Sequence, residues 1–487
     1  MQQTAFDVSR FGTPEIGGKT EEEAAFLARL LAVAPSPRQR AHAQLAFYSF
    51  IHFGMNTMTN REWGTGKEPE ALFAPAQVDT DQWCRVLKES GSRGVVLTAK
   101  HHDGFCLWNT KTTDHSVMRS PFGKDVLALL RESCDKYGLK LGVYLSPWDR
   151  SADCYGTEDY NDFFVAQLTE LCTNYGDLFE VWFDGACGEG PNGKKQRYDW
   201  NRYYETVRAL QPDAVIAISG PDVRWIGNEA GKVRKSEWSV VGAPAVLSEK
   251  VAAQSQQSET DLSFDRCEPD LGSRDALRNE DELIWSPAEA DVSVTTGWFY
   301  HGRLYYLFRK KRTAKQLADI YFKTVGGNAS LLLNVPPNKK GRISRREQHT
   351  LRRFKRMIDA PFQSPLAASY ALLSTDGTAE PVQAIAAGET VAFPPGAFVL
   401  RLSFETAQTV RTLVLGEDLS FSQRVERFSV WAADESGTPR KIETATVIGQ
   451  QKILRFKKPL HTTALYVAIE QARGEPAICL CRAFRGV

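Results

Sequence analysis

Asp184 closes an apolar run, Val181-Trp182-Phe183-Asp184-Gly185. A strand end would hold that carboxylate rigidly, and the glycine after it leaves backbone room. Such a group can serve as nucleophile or base, although Asp at a strand–loop junction is also a common turn or cap residue. Glu229, in Arg224-Trp225-Ile226-Gly227-Asn228-Glu229-Ala230-Gly231, is the candidate partner on a loop. Glu237 in Ser236-Glu237-Trp238 and Glu289 in Trp285-Ser286-Pro287-Ala288-Glu289 are its rivals, and residue type alone does not choose among them. Two carboxyl groups about 5–5.5 Å apart, on opposite sides of an acetal carbon, break a glycosidic bond with retention: one attacks, the other first protonates the leaving oxygen.

His52, His101-His102-Asp103, Tyr144 with Pro147-Trp148, Asp184-Gly185, and Gly220 with Asp222 each follow a short apolar run. Clear strands are expected at 48–53, 94–99, 139–146, 179–183, 214–218 and 330–335, with helices at 79–90, 124–137 and 158–175 between the early ones and another at 313–324. Gly91, Gly138 and Gly176 stand where left-handed helix ends belong. This βα alternation predicts a (β/α)8-like TIM barrel, whose active site forms at the C-terminal ends of its strands. Strands six and seven have no clear place. The histidines have two other readings: packed, hydrogen-bonded residues, or ligands of a metal-dependent hydrolase together with Asp184. Adjacent histidines seldom share one ion, so no catalytic metal is expected.

The chain has 487 residues, enough for a barrel and an appendage. Residues 1–45 read as a polar lead-in with one helix at 21–33, ended by Ala34-Pro35-Ser36-Pro37. The barrel is assigned to 46–358. The basic stretch 339–356 reads as a solvated helix face, because a net charge of +1 leaves no excess for a polyanion. Nucleic acid is therefore not an expected partner, and no run of about 18 apolar residues points to membrane insertion. The first residues carry no signal-peptide pattern, which favours a soluble cytoplasmic protein unless an export signal has been trimmed away. Nine cysteines without a zinc-ribbon or disulfide-framework spacing read mostly as buried free thiols.

From 359 to 487 short alternating strands at 399–402, 411–415, 428–431, 453–456, 465–469 and 478–481 predict a β-sandwich. A carbohydrate-binding role is open for it, with Trp431 read as core before platform. A structural calcium there has no Asp/Asn-rich loop to support it. Oligomeric state is not legible.

Tyr48-Ser49-Phe50-Ile51-His52-Phe53-Gly54, Glu62-Trp63, Ala99-Lys100-His101-His102-Asp103-Gly104-Phe105, Gly142-Val143-Tyr144-Leu145-Ser146, Trp182-Phe183-Asp184-Gly185 and Leu331-Leu332-Leu333-Asn334-Val335-Pro336-Pro337 occur in this order. Together they resemble the motifs of the α-L-fucosidases of glycoside hydrolase family 29, over most of residues 45–345. The resemblance implies Asp184 as nucleophile. It implies that His52, His101, His102 and Tyr144 hold the fucose hydroxyls and ring, with Glu62, Trp63 and Trp182 in the same pocket. The stretch 224–231 is similar to the acid/base loop of the branch selective for α-1,3/1,4-linked fucose, which makes Glu229 the acid/base. In that branch Gly297-Trp298-Phe299-Tyr300-His301 would set Trp298 against the sugar's C6 methyl. The terminal domain has a discoidin-like look similar to domains attached to this branch. The expected partner is a fucosylated glycan and no cofactor is required. A sugar-binding protein without catalysis is the rival of another class, and loss of either carboxylate would favour it.

Overall fold

The computed structural model describes residues 6–243, 270–302, 305 and 311–486. Eight parallel strands carry the site: β1 (Phe47–Ile51), β2 (Gly94–Lys100), β3 (Lys140–Leu145), β4 (Leu178–Phe183), β5 (Val215–Ile218), β6 (Arg224–Trp225), β7 (Ala288–Ser293) and β8 (Ala329–Asn334). They pair in the order β5-β4-β3-β2-β1-β8-β7-β6, and a parallel bridge between Ala217 and Val223 draws the last gap together into a near-closed barrel. The strands expected at 48–53, 94–99, 139–146, 179–183, 214–218 and 330–335 are all present, with ends shifted by one or two residues.

Strands six and seven escaped notice for physical reasons. β6 is two residues long and follows β5 with no helix between them. β7 reads Ala-Glu-Ala-Asp-Val-Ser, an alternation in which the polar members face the barrel interior, so it lacks the apolar run that marked the others.

Helices wrap the ring because their apolar residues recur on one face. In α1 (Glu21–Leu31), α2 (Pro37–Ala43), α3 (Thr80–Glu89), α4 (Val126–Tyr137), α5 (Asp159–Asn174), α6 (Trp200–Leu210), α7 (Ala314–Thr324) and α8 (Arg345–Asp359) the starts are capped by side chains where the sequence permits. Asp79 accepts from the Gln82 N–H at 3.0 Å, and Asp125 from that of Ala128 at 2.8 Å. Gly138 ends α4 with φ +62°, the left-handed region glycine enters at no steric cost. α4 lays Val126, Leu127 and Leu130 into the core between helix and barrel. Truncating Leu130 to Ala would cost about 2–5 kcal/mol.

The stretch that ends α1 also starts α2, which the sequence reading missed. Ser36 caps α2 in a reciprocal box with Gln39, and Pro37 sits in the first turn, where its missing N–H costs nothing. Gln39 Nε2 then donates to the Asp222 and Trp285 carbonyls, both at 2.8 Å, which holds α2 across the N-terminal mouth of the barrel. The basic α8 buries Leu351, Phe354 and Ile358 and leaves most of its arginines exposed or half-buried.

The last domain is a separate antiparallel β-sandwich of β9 (Ser369–Ser374), β10 (Ala397–Glu417), β11 (Val425–Ala433), β12 (Pro439–Thr446), β13 (Lys452–Ala472) and β14 (Ala477–Phe484), with shorter strands at its edge. Pairs read as separate strands, 399–402 with 411–415 and 453–456 with 465–469, are single long strands, β10 and β13. Register shifts at 403–408 and 410–412 let β10 bend from one partner set to another. Trp431 is half-buried, packs edge-on against Phe11 at 5.2 Å and donates to Ser429 Oγ at 2.8 Å.

Candidate active site

Period-two alternation sorts the barrel interior into layers. Along β1 the inward residues are Tyr48, Phe50 and then His52; along β4, Glu180, Trp182 and then Asp184; along β7, Glu289, Asp291 and Ser293. The third layer opens into a pocket of about 730 Å³ lined by His52, Trp63, His101, His102, Tyr144, Trp182, Asp184, Glu229, Asp291 and Trp298, with Phe50, Ile218 and Trp225 among its apolar walls. Nine of the ten residues expected in the site therefore meet in one concavity. Glu62 stands one step behind it.

Asp184 is half-buried and held at both oxygens: Oδ2 accepts from Tyr144 Oη at 3.0 Å, and Oδ1 from the Ala186 N–H at 2.7 Å. These two donors aim the carboxyl group.

Glu229 stands on a loop fixed by its neighbour. Asn228 Oδ1 accepts from the Ala230 and Lys232 N–H groups at 3.1 and 3.0 Å, and its Nδ2 donates to the Lys232 carbonyl at 2.9 Å. Gly227 and Gly231 bracket the turn at φ +100° and +69°. As a residue Glu229 is exposed at the rim, yet it lines the pocket. The surrounding protein, then the negative charge of Asp291, and after it those of Asp184 and Glu62, push its pKa well above the ordinary carboxylate range, while a hydrogen bond with Trp298 pulls down.

Asp291 is the residue the sequence reading missed. It is buried, accepts from Trp225 Nε1 at 2.7 Å, and burial raises its pKa. The signal was there in the Ala288-Glu289-Ala290-Asp291 alternation, legible once that segment is known to be a barrel strand.

The three histidines are buried and neutral, because desolvation disfavours the imidazolium: His52 is brought down to about 3, His102 to about 4, and His101 well below the usual range. Their partners fix the tautomers. Asn334 Nδ2 donates to the Trp298 carbonyl at 2.7 Å, so its Oδ1 faces His52 and accepts Nδ1–H at 3.0 Å. Ser146 Oγ donates to the Trp148 carbonyl at 2.6 Å and therefore accepts from His102 Nδ1–H at 2.7 Å. His52 and His102 thus keep an acceptor lone pair on Nε2; that of His102 lies 3.9 Å from Asp184 Oδ2. Asn56 Nδ2 donates to the Glu62 carbonyl at 3.1 Å and to His101 Nδ1 at 3.3 Å, leaving the His101 proton on Nε2.

Trp298 packs its ring 5.0 Å from that of His52. Glu62 holds it from behind: Oε2 accepts the Trp298 N–H at 2.8 Å, and Oε1 bonds His301 Nε2. Gly297 permits this approach, since φ is +85° and an added Cβ would lie 2.2 Å from Glu62 Oε1. Trp63 sets its ring edge-on to His102 and Trp148, at 5.9 and 5.5 Å. Ile218 lines the wall at φ +70°, a strained setting for a β-branched residue.

The rivals for the acid/base fall outside. Glu237 is fully buried in ion pairs with Arg224 and Arg234. Glu289 lies a layer below the pocket, accepting from Trp182 Nε1 at 2.8 Å and from Tyr48 Oη. Asp222 pairs with Arg38 and Arg208 and caps the Ile216 N–H at 2.7 Å, a structural duty. Asp103 forms a turn with the Phe105 N–H at 2.8 Å. Among the described residues, the group whose ligand atoms gather within metal reach is His42, Glu180 and Glu289 on the barrel floor, away from the pocket histidines.

A near-closed parallel barrel with carboxyl groups, neutral imidazoles and indole walls meeting at the C-terminal ends of its strands defines a barrel glycoside hydrolase. The comparisons narrow the class. The family model for Alpha-L-fucosidase matches residues 65–359. Alpha-L-fucosidase 1 of Arabidopsis thaliana is 36% identical over 460 residues, 91% of this chain and 86% of that protein. A crystal structure from Bacteroides ovatus superposes with a TM-score of 0.81 at 40% identity, covering 99% of this chain and 77% of the other. A family 29 fucosidase from Ruminococcus gnavus in complex with fucose gives a TM-score of 0.78 at 27% identity, covering 93% and 95%. The chain belongs to the alpha-L-fucosidase family, glycoside hydrolase family 29. No helix among the described residues is long and apolar enough to cross a membrane.

Proposed function

We propose that the protein is a retaining exo-α-L-fucosidase that removes α-1,3/1,4-linked fucose from branched, Lewis-type glycans by double displacement. The observation that carries the reading is the convergence of Asp184 and Glu229 on one pocket with three neutral histidines and Trp298. Asp184, held by Tyr144 and Ala186, attacks C1 while Glu229, protonated because its pKa is raised, gives its proton to the leaving oxygen. Glu229 then acts as base and activates the water that releases fucose. The two carboxyls supply nucleophile and proton, so the reaction needs no cofactor.

Substrate selection follows from the walls. The lone pairs on His52 and His102 Nε2 accept from sugar hydroxyls, and His101 Nε2–H donates to one. A site built on such pairs rejects sugars lacking the hydroxyl. Trp298 offers an apolar face for the C6 methyl. The linkage preference rests on the likeness of residues 224–231 to the acid/base loop of the α-1,3/1,4-selective branch. Binding of glycan by the C-terminal sandwich is a separate proposal that its fold permits.

The test is hydrolysis of a Lewis-type fucosylated trisaccharide, with the product anomer followed by NMR. Release of β-free, α-configured fucose as the first product supports retention; inversion overturns it. Faster cleavage of α-1,2-linked and aryl fucosides than of the branched substrate removes the linkage assignment and leaves the fucosidase. Binding without turnover would favour the lectin-like reading.

A further inference from the structure

Beneath the pocket, the first interior layer holds two carboxyl groups, Glu180 and Glu289. Glu180 and Glu289 have no exposed surface, and among the described residues no Lys or Arg pairs with either. Glu289 is well served: Trp182 Nε1 donates to Oε1 at 2.8 Å and Tyr48 Oη to Oε2. Among the described residues no fixed donor of that kind serves either oxygen of Glu180, whose polar neighbours are Glu289, Tyr48 and His42. Beside them α2 inserts His42, whose Nε2 lies 3.6 Å from Glu180 Oε2 and 2.8 Å from Tyr48 Oη. One donor atom from each of His42, Glu180 and Glu289 lies within 4.8 Å of the others.

We propose that His42, Glu180 and Glu289 form a buried site for one divalent transition-metal ion of the Zn2+ type, a structural staple between α2 and the barrel floor. Two buried carboxylates demand a positive partner. One proton shared between them leaves one negative charge buried, whereas a dication neutralises both charges at once. The donor set, one imidazole with two carboxylates, suits Zn2+ better than the all-oxygen cages of Ca2+ or Mg2+. Ligand bonds of about 2.0–2.2 Å place tetrahedral ligand atoms about 3.3–3.6 Å apart, so side-chain shifts of about 1 Å close the set. Trp182 and Tyr48 already supply the outer hydrogen bonds that orient a ligating carboxylate. Binding displaces any proton that the two carboxyls share. The site is independent of the fucosidase reading.

Its test uses the full chain purified without chelator. Elemental analysis after gel filtration should find about one metal per chain in the wild type and in His52→Ala/His102→Ala, which lacks two pocket imidazoles, but under about a tenth in Glu180→Gln. Stripping with chelator should lower Tm by about 5 °C, with recovery on adding Zn2+. Wild-type protein that holds no Zn2+ after loading, or Glu180→Gln that holds as much as wild type, overturns the site. Should Glu180→Gln fail to fold, X-ray absorption at the zinc edge of the wild type decides: one imidazole with carboxylate oxygens supports the assignment, and two or more imidazoles overturn it.

Discussion

Trp182 reaches across the barrel to donate its indole N–H to Glu289 Oε1 at 2.8 Å, two residues before Asp184, which follows the end of the same strand. Its ring also lies at 5.2 Å and 28° to that of Tyr144, the residue that donates to Asp184. The height and aim of Asp184 are therefore set from the layer beneath it. Trp182→Phe keeps most of the ring but strips Glu289 of a donor. Loss of about 1–3 kcal/mol in stability is expected by denaturant unfolding, with kcat reduced about tenfold as Asp184 loosens. Unchanged stability would mean the Trp182–Glu289 bond contributes nothing.

Asp184→Ala should lower kcat/KM by at least about 10⁴-fold, the scale seen when one member of a catalytic unit is removed. Azide fills the vacated space and should restore turnover with the opposite anomer as product. Tyr144→Phe removes one of two donors to Asp184 and should cost about tenfold. Kinetics on an activated aryl fucoside separates the two variants, and an Asp184→Ala enzyme with substantial activity would move the nucleophile elsewhere.

Much of this arrangement is legible in the chain because strand ends announce themselves. Apolar runs stop at His52, Lys100-His101, Leu145-Ser146 and Phe183-Asp184, and His52, His101, His102, Tyr144 and Asp184 at or beside those stops line the pocket. What was not legible depends on three-dimensional closure. Asp291 hides in a strand whose polar members face inward. Ser36-Pro37, read as the end of a helix, is equally a capped beginning. Glu237 and Glu289 looked equivalent to Glu229 by type, and only burial and partners separate them: paired arginines for one, the barrel floor for the other.

The alkaline limb of kcat/KM should belong to Glu229, which must start protonated. Its raised pKa keeps the enzyme active well above the ordinary carboxylate range, and activity falls as pH rises through it. Asp291→Asn removes a negative neighbour, so the Glu229 pKa should drop and the limb should move about one unit toward acid. A limb that stays in place, measured with a substrate whose leaving group needs protonation, would show that Asp291 does not act on Glu229.

The pocket histidines should contribute a part of the stability that is lost in acid. Their folded pKa values lie below the ordinary imidazole value of 6.5, at about 3 for His52 and about 4 for His102, so below pH 6.5 the unfolded chain binds protons the native state refuses. The stabilisation is complete above pH 6.5 and is lost as pH falls toward the folded values, at about 1.4 kcal/mol per unit for each histidine. The raised values of Asp103 and Asp291 act in the opposite sense, since those groups take up protons more readily when folded. The comparison that isolates the effect is the slope of unfolding free energy between pH 5 and 6.5, which should be shallower by about one proton in His102→Asn.

Trp298 and Glu62 should separate binding of the methyl group from positioning of the wall. Trp298→Ala removes apolar surface that a 6-deoxy sugar can cover and a 6-hydroxy sugar cannot, so preference for fucosides over galactosides of the same configuration should shrink by about 10- to 200-fold. Glu62→Gln keeps the shape but exchanges one acceptor oxygen for an NH2 group. Either the Trp298 N–H or His301 then loses its acceptor, depending on how the amide turns. The indole should wander and KM should rise about tenfold with a smaller change in kcat. Gly297→Ala forces a Cβ into Glu62 Oε1 at an unfavourable φ and should reproduce the Glu62 phenotype without touching the carboxylate. If Gly297→Ala binds fucose as well as wild type in a calorimetric titration, the Glu62 contact does not place Trp298.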